Sequence, residues 1–426
     1  MGVIDTFKEP LFEESGVAIP LYVLPMLLLF GTGASLFLAP AVTLQALAFV
    51  GFMWPVWLPP MLLLLAWTAW VRFRRAAFQF DQDTILLEIK IPADIQKSPL
   101  AMEAVFAGLH MKPGEGNWYA KYWQGKIRPH WSLEIASIEG QIHFFIWTRK
   151  GFKRNIETNL YAQFPSVQVI EVEDYTLKQS NDMDKIGLWG CHFTTTHDND
   201  VVPIKTYVDY GLDKEQRDEF KIDPFANMLE FMGSIGKGEQ MWVQYMIQVT
   251  HKKWRKEGEE KIKDIRGQNE KTEDDKPMFK FLGKDEEKLT EAIERNTSKQ
   301  AFDVGIRALY LADTDNFDGS KISGLVHMFK QFSSESLNGF RPLGGMTVFS
   351  DFPWEPKKPK IGMKKGLLDA YKRRSYFHPP YDSHKPFTLS IEELATLYRL
   401  PSRAVEVPTL PRIQSTTAEA PTDLPR

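Results

Sequence analysis

Residues 131–148 read WSLEIASIEGQIHFFIWT. Apolar residues recur at alternate positions on both sides of Glu139-Gly140, a turn dipeptide, so the run predicts a hairpin of strands Trp131–Ile138 and Gln141–Thr148. Working backwards, Leu87, Ile89 and Ile91 alternate with Glu88 and Lys90 in a half-buried strand that Pro92 closes. Ser98 then caps a helix with Pro99 at its first position, where a missing N–H costs nothing. Met102, Val105, Phe106 and Leu109 follow at i, i+3, i+4 and i+7, a single apolar stripe. Working forwards, Ile156, Leu160 and Phe164 mark a second helix over about 152–164, and Val167–Val172 reads as a closing strand. The order β-α-β-β-α-β predicts an α+β, ferredoxin-like sandwich.

The same order recurs further along. Strand material near Gly187–Thr196 and Val201–Tyr207 leads to Asp223-Pro224, a second cap followed by proline. Phe225, Met228, Leu229 and Met232 repeat the helical stripe, Met241–Thr250 and Ala301–Ala312 supply strands, and Ile322, Leu325, Val326 and Phe329 mark another helix. Met346–Phe349 is the expected last strand. The pattern predicts a duplicated fold. A charged insertion over 252–300 separates the central strands of the second copy; between Lys252 and Lys288 it carries 12 basic and 11 acidic residues. Such balanced charge predicts a solvated helical arm that frays through Gly267–Pro277.

Ahead of both copies, no charged residue occurs from Val17 to Val71. A bilayer crossing needs about 20 apolar residues per helix, so this stretch predicts a two-span transmembrane hairpin, Val17–Ala39 and Pro55–Val71, joined by a short uncharged turn after Pro40. Trp54, Trp57, Trp67 and Trp70 stand near the ends of the second span, where aromatic rings favour the headgroup layer. Arg72, Arg74 and Arg75 follow at once and put that end in the cytoplasm. The expected organisation is a membrane segment over 1–75, a first ferredoxin-like domain over 76–180, a second over 181–355, and a basic linker, short helix and Pro-rich tail over 356–426. The expected location is the cytoplasmic inner membrane, multi-pass, with both termini cytoplasmic.

The 426 residues carry a formal charge of −3, which gives no global signal for nucleic acid. One cysteine, Cys191, excludes an intrachain disulfide framework and multi-cysteine metal sites. The nearest approach to a phosphate-binding loop, Gly233–Gly238 with Lys237, has glycine where a hydroxyl belongs and follows a helix rather than a strand. Cys191 and His192 are adjacent, so on a strand they point to opposite faces and do not share a metal with His197, Asp198 and Asp200. His130 and His143 each stand alone. No catalytic, cofactor or metal residue is expected, and the sequence predicts a non-enzyme.

Two features point to binding. Lys357, Lys358, Lys360, Lys364, Lys365, Lys372, Arg373 and Arg374 form a basic run that reads as a site for nucleic-acid phosphates or lipid headgroups, or as a solvated linker. Strand 141–148 carries Ile142, Phe144 and Ile146 on one face and His143, Phe145 and Trp147 on the other. Large side chains on both faces predict that something covers the second face, either the other copy or a neighbouring subunit, with Phe145 and Trp147 as the contact.

The segments ILLEIKIP, KSPLAMEAVF, WSLEIASIEGQIHFFIWT and NIETNLYAQFPSVQVIEVEDY resemble the N-terminal region of membrane-anchored, HerA/FtsK-like and conjugation-associated DNA-translocating ATPases of candidate-phylum bacteria. FTLSIEELATLYRLPS and VPTLPRIQSTTAEAPTDLP are similar to the linker that precedes the P-loop domain in those proteins, and Ser390–Glu393 within it is a capping box. The resemblance implies a non-catalytic module of a type IV secretion-like machine that anchors and oligomerises a ring ATPase at the membrane. The P-loop motor would act in trans or lie outside this sequence. Its implied partners are the lipid bilayer, further copies of itself, the motor and DNA. The other reading is a membrane-tethered nucleic-acid-binding module using 357–374.

Overall fold

A computed structural model describes residues 37–413 apart from 93–94, 96, 112–115, 184, 215–222, 252, 268–282, 344–360, 382–383 and 402–409. Helices α1 (Pro40–Phe52) and α2 (Trp54–Phe80) open it. The turn expected after Pro40 is therefore a helix: proline at the first helical position is pre-set for helical φ and loses no hydrogen bond there. The expected first span, Val17–Ala39, lies almost entirely outside the described residues. Among those described, one helix, α2, is long and apolar enough to cross a membrane, and nothing buries its apolar window. It runs through all three arginines to Phe80, well past Val71.

The first half then runs β1 (Thr84–Pro92), α3 (Leu100–Leu109), α4 (Trp118–Tyr122), β2 (His130–Ile138), β3 (Gln141–Arg149), α5 (Lys153–Gln163) and β4 (Gln168–Val172). The second half runs β5 (Ile186–Thr195), α6 (Pro224–Gly233), β6 (Glu239–Val249), α7 (Trp254–Ile265), α8 (Lys284–Thr297), β7 (Ala301–Asp313), α9 (Ser320–His327) and β8 (Phe340–Leu343). Then follow α10 (Ile361–Lys372), β9 (Phe387–Ser390), α11 (Ile391–Leu397) and β10 (Arg412–Ile413).

All ten strands join one mixed α+β sheet. Strands β1 to β4 pair in the order β4-β1-β3-β2, and β5 to β8 in the matching order β8-β5-β7-β6, every pair antiparallel. The two sets meet edge to edge through β2 and β6, paired from His130↔Gln248 to Ile138↔Gln240. Two strands are added at the side: β9 against β7, and β10 parallel to β1. At the β2–β3 turn, Glu139 and Gly140 both have positive φ, the type I′ geometry whose twist matches the strands. A Cβ at Gly140 would also stand 2.8 Å from the Ile235 carbonyl oxygen.

The helical face of the sheet forms one continuous core. Leu87 and Ile89, Trp131 and Leu133, Phe144, Val243, Tyr245, Val304 and Phe193 bury there with Phe106, Leu160, Met228 and Phe329. Caps form where expected: Asp223 accepts from the Phe225 N–H, and Ser390 and Glu393 close a reciprocal capping box. The α11 segment is buried throughout, and its carboxylates tie the halves together. Lys299 bridges Glu103 of α3 (2.9 Å) and Glu392 of α11 (2.8 Å), while Glu393 accepts from the Ile204 N–H at 3.0 Å.

Two expectations need correction, and a third falls outside the described residues. Val201–Tyr207 is no strand; Pro203 removes a ladder donor, and only Ile204 bridges, to Asn338. Met346–Phe349 lies outside the described residues, and the strand that pairs beside β5 is Phe340–Leu343. The insertion is helical, with 268–277 of its expected frayed part outside the described residues, but it is not merely solvated: Trp254, Ile262 and Ile293 of α7 and α8 bury against Val201 and Ala301.

Candidate functional site

The second face of the sheet alternates with the first. Phe145, Trp242, Leu309 and Leu188 share it with Glu134, Gln244 and Arg307. What covers it belongs to the same chain: Tyr175 stacks on Phe145 with ring centroids 4.7 Å apart, and Leu367, Leu368 and Tyr371 of α10 close over Trp242 and Leu309. The faces of β3 fall as its alternation predicts, and the ring over Phe145 is Tyr175 of its own half rather than a residue of the other copy. Trp147 is half-buried, 5.5 Å from the His130 ring.

Under α10 lies a buried charge network. Glu134 is fully buried. It accepts from Arg374 Nε (2.9 Å) and Nη2 (3.2 Å), the Tyr175 hydroxyl (2.9 Å), Gln244 Nε2 (3.0 Å) and the Ser132 hydroxyl (2.6 Å). Arg374 also grips Asp174, and Arg307 donates to Gln244 Oε1 at 3.0 Å. The basic run is therefore not one surface. Arg374 is buried, Lys372 donates to the Gln179 carbonyl and Asn181 Oδ1 (both 2.7 Å), and Arg373 pairs with Asp369. Lys364 and Lys365 remain at least partly open to solvent, and Lys357, Lys358 and Lys360 lie outside the described residues.

The loop holding Lys237 is filled from within. The Gly236 N–H donates to Glu239 Oε2 at 2.6 Å and the Gly238 N–H to Glu139 Oε1 at 3.3 Å, so carboxylates sit where a phosphate would need free amides. Lys237→Ala is expected to leave any ATP hydrolysis unchanged and stability within about 0.5 kcal/mol; an ATPase assay in which the substitution abolishes measurable turnover would contradict this. Cys191 and His192 do face apart: the thiol is buried in the helical-face core, where burial pushes it up to about 12, and the His192 ring stands 4.0 Å from that of His384. His143 is not solitary; its Nδ1 lies 2.7 Å from Glu88 Oε1. Among the described residues no three His, Cys, Asp or Glu side chains cluster as a metal would need.

The end of the sheet next to α2 is the most distinctive surface. Exposed α4 folds back onto the helix: Trp118 stacks on Trp67 (6.1 Å), and Trp123 packs edge-on against Trp70 (5.3 Å). Arg74 Nε donates to the Trp123 carbonyl at 2.6 Å. Gly125 holds this contact at positive φ; a Cβ there would meet the Arg74 carbonyl oxygen at 2.2 Å. Trp118 and Tyr119 remain more than half exposed. Aromatic rings with Arg74 over Trp70 (5.8 Å) and Lys121 over Tyr122 (6.0 Å), at the polar end of an apolar helix, are the composition of a headgroup layer contact. Sequence reading found the helix-borne part of this cluster and missed α4, although WYAKYW at 118–123 carried the signal.

A family model described as "Domain of unknown function (DUF8128)" matches residues 84–411, which run from β1 through α11 and leave out α1, α2 and β10. No curated protein matches the chain.

Proposed function

The chain belongs to the DUF8128 family, and on that premise we propose that it is a non-catalytic, membrane-anchored scaffold whose sheet is held against the cytoplasmic face of a bilayer. The observation that carries this reading is α2: an exposed apolar helix that passes through Arg72, Arg74 and Arg75 and enters β1 within a few residues. The aromatic α4, docked on Trp67 and Trp70, supports a fixed angle between helix and sheet. In this reading α2 is the second of two spans, the first lying within Val17–Ala39, and both termini are cytoplasmic. The strand orders β4-β1-β3-β2 and β8-β5-β7-β6 support reading the body as two ferredoxin-like halves fused edge to edge.

The place of such a scaffold in a type IV secretion-like, DNA-translocating machine rests on the resemblance of its segments to the membrane modules of ring ATPases, as does assembly into a ring. The segment similar to a pre-motor linker, Phe387–Leu400, is buried across the seam between the halves. That attachment suits rigid coupling of a motor to the membrane.

Carbonate extraction should leave the full chain in the membrane pellet. Cysteines introduced near each terminus should react only with membrane-permeant reagents in intact cells; Cys191, buried, stays unlabelled. Extraction by carbonate sinks the anchoring reading, and external labelling of the C-terminal cysteine sinks the two-span topology.

A further inference from the structure

At the membrane-proximal end of the sheet, cationic side chains converge without acidic partners among the described residues. Arg75 comes from the last turns of α2 and Arg149 from the end of β3, opposite Thr84 at the start of β1. His130 starts β2, on the neighbouring strand of the same end. His378 follows α10, its ring 6.2 Å from that of His130. Arg149 lies over the Phe78 ring of α2 at 5.3 Å. Arg128, bound to Asp303, flanks the group. Arg75 Nε, Arg149 Nη2, His130 Nδ1 and His378 Nε2 are all buried with no hydrogen-bond partner among the described residues.

Guanidinium nitrogens taken out of water unpaired are costly, and a fold retains them when a counter-charge completes them. Burial, then His130 and the three guanidiniums, push the His378 imidazole down to about 3, and burial followed by Arg149 takes His130 down to about 4. Burial first, and the neighbouring positive charge second, thus keep both imidazoles neutral. Arg75 and Arg149 are only partly buried, so an anion has a way in. Two arginines and two imidazoles gathered at one end of the sheet, each with an unpartnered nitrogen, suit tetrahedral phosphate, whose oxygens accept charge-assisted bonds from arginine forks.

We propose that Arg75, Arg149, His130 and His378 form a binding site for a phosphate group, supplied by the headgroup of an anionic membrane lipid. The inference rests on the membrane reading for the source of the phosphate: α2 delivers Arg75 just beyond its apolar stretch, at the depth of the headgroups. The occupied site would lock the sheet's end to the inner leaflet, beside the α4 aromatics.

The test is thermal unfolding of the detergent-purified full chain. Mixed micelles doped with phosphatidylglycerol should raise the midpoint saturably, whereas phosphatidylcholine micelles and matched inorganic phosphate should not. Arg149→Gln and, separately, Arg75→Gln should each weaken the phosphatidylglycerol response roughly tenfold or more in concentration. Without lipid, neither substitution should lower the midpoint, because each removes an unpaired charge; a purely structural arginine would lower it. An equal phosphatidylglycerol response in both variants overturns the site, and a response to inorganic phosphate alone overturns the lipid source. A chain that carbonate extracts but that still responds to phosphatidylglycerol defeats the anchoring reading and leaves this site standing.

Discussion

Arg374→Ala is expected to destabilise the body by about 3–5 kcal/mol, the cost of breaking a buried ion pair from one side. Glu134 has no solvent to fall back on, being fully buried at the centre of β2. Arg374 is the cation that grips it, through two nitrogens at 2.9 and 3.2 Å. Ser132, Tyr175 and Gln244 also donate to the carboxylate, but neutral donors offset only part of an uncompensated charge. Arg374→Lys should rescue little, because an ammonium cannot reproduce a fork that also engages Asp174. Pairing Arg374→Ala with Glu134→Gln should recover part of the loss, since the amide carries no charge. Denaturant titration of the purified chain measures all three; a loss below about 1 kcal/mol for Arg374→Ala would mean that the network does not hold α10 to the sheet.

That network also marks where sequence reading stops. Elements with local signals were legible: the β2–β3 turn in Glu139-Gly140, the Ser390–Glu393 cap, and the helical stripes at Met102–Leu109 and Phe225–Met232, because period and capping act over a few residues. Arg374 sits 240 residues from Glu134 and 200 from Asp174, so no local pattern can pair them, and a run of lysines and arginines reads as solvated surface. The usable signal was on the partners: Glu134 and Gln244 stand in strands whose flanking residues are all apolar, and Leu367, Leu368 and Tyr371 give the supposed linker an apolar side. The cationic corner was hidden for the same reason. Arg75 announced a topology and His130 stood alone, while Arg149 and His378 carried no local signal; strand register and the turn after α10 bring them to one end of the sheet.

Phe145→Ala should cost about 3–5 kcal/mol, as for a large aromatic removed from a packed core. Sequence alternation marks Phe145 and Trp147 as residues needing a cover, and a second subunit would have met that need. The structure fills it with an aromatic stack from the same chain: Phe145 on Tyr175 at 4.7 Å, Tyr175 edge-on to Trp242 at 5.2 Å, and Trp242 against Tyr371 at 5.1 Å. Removing the first ring leaves a cavity beneath Tyr175, whose hydroxyl bonds both Glu134 and Tyr371, so the loss reaches the charge network and should be non-additive with Arg374→Ala. Trp147, half-buried at the edge of the stack beside His130, should tolerate truncation with a smaller loss. The two explanations of the cover diverge in measurement. Packing within the chain predicts a lowered unfolding midpoint for Phe145→Ala, with particle mass by light scattering unchanged below that midpoint. A fall in mass with the midpoint intact would return Phe145 to a subunit interface and require the α10 cover to open in the assembly.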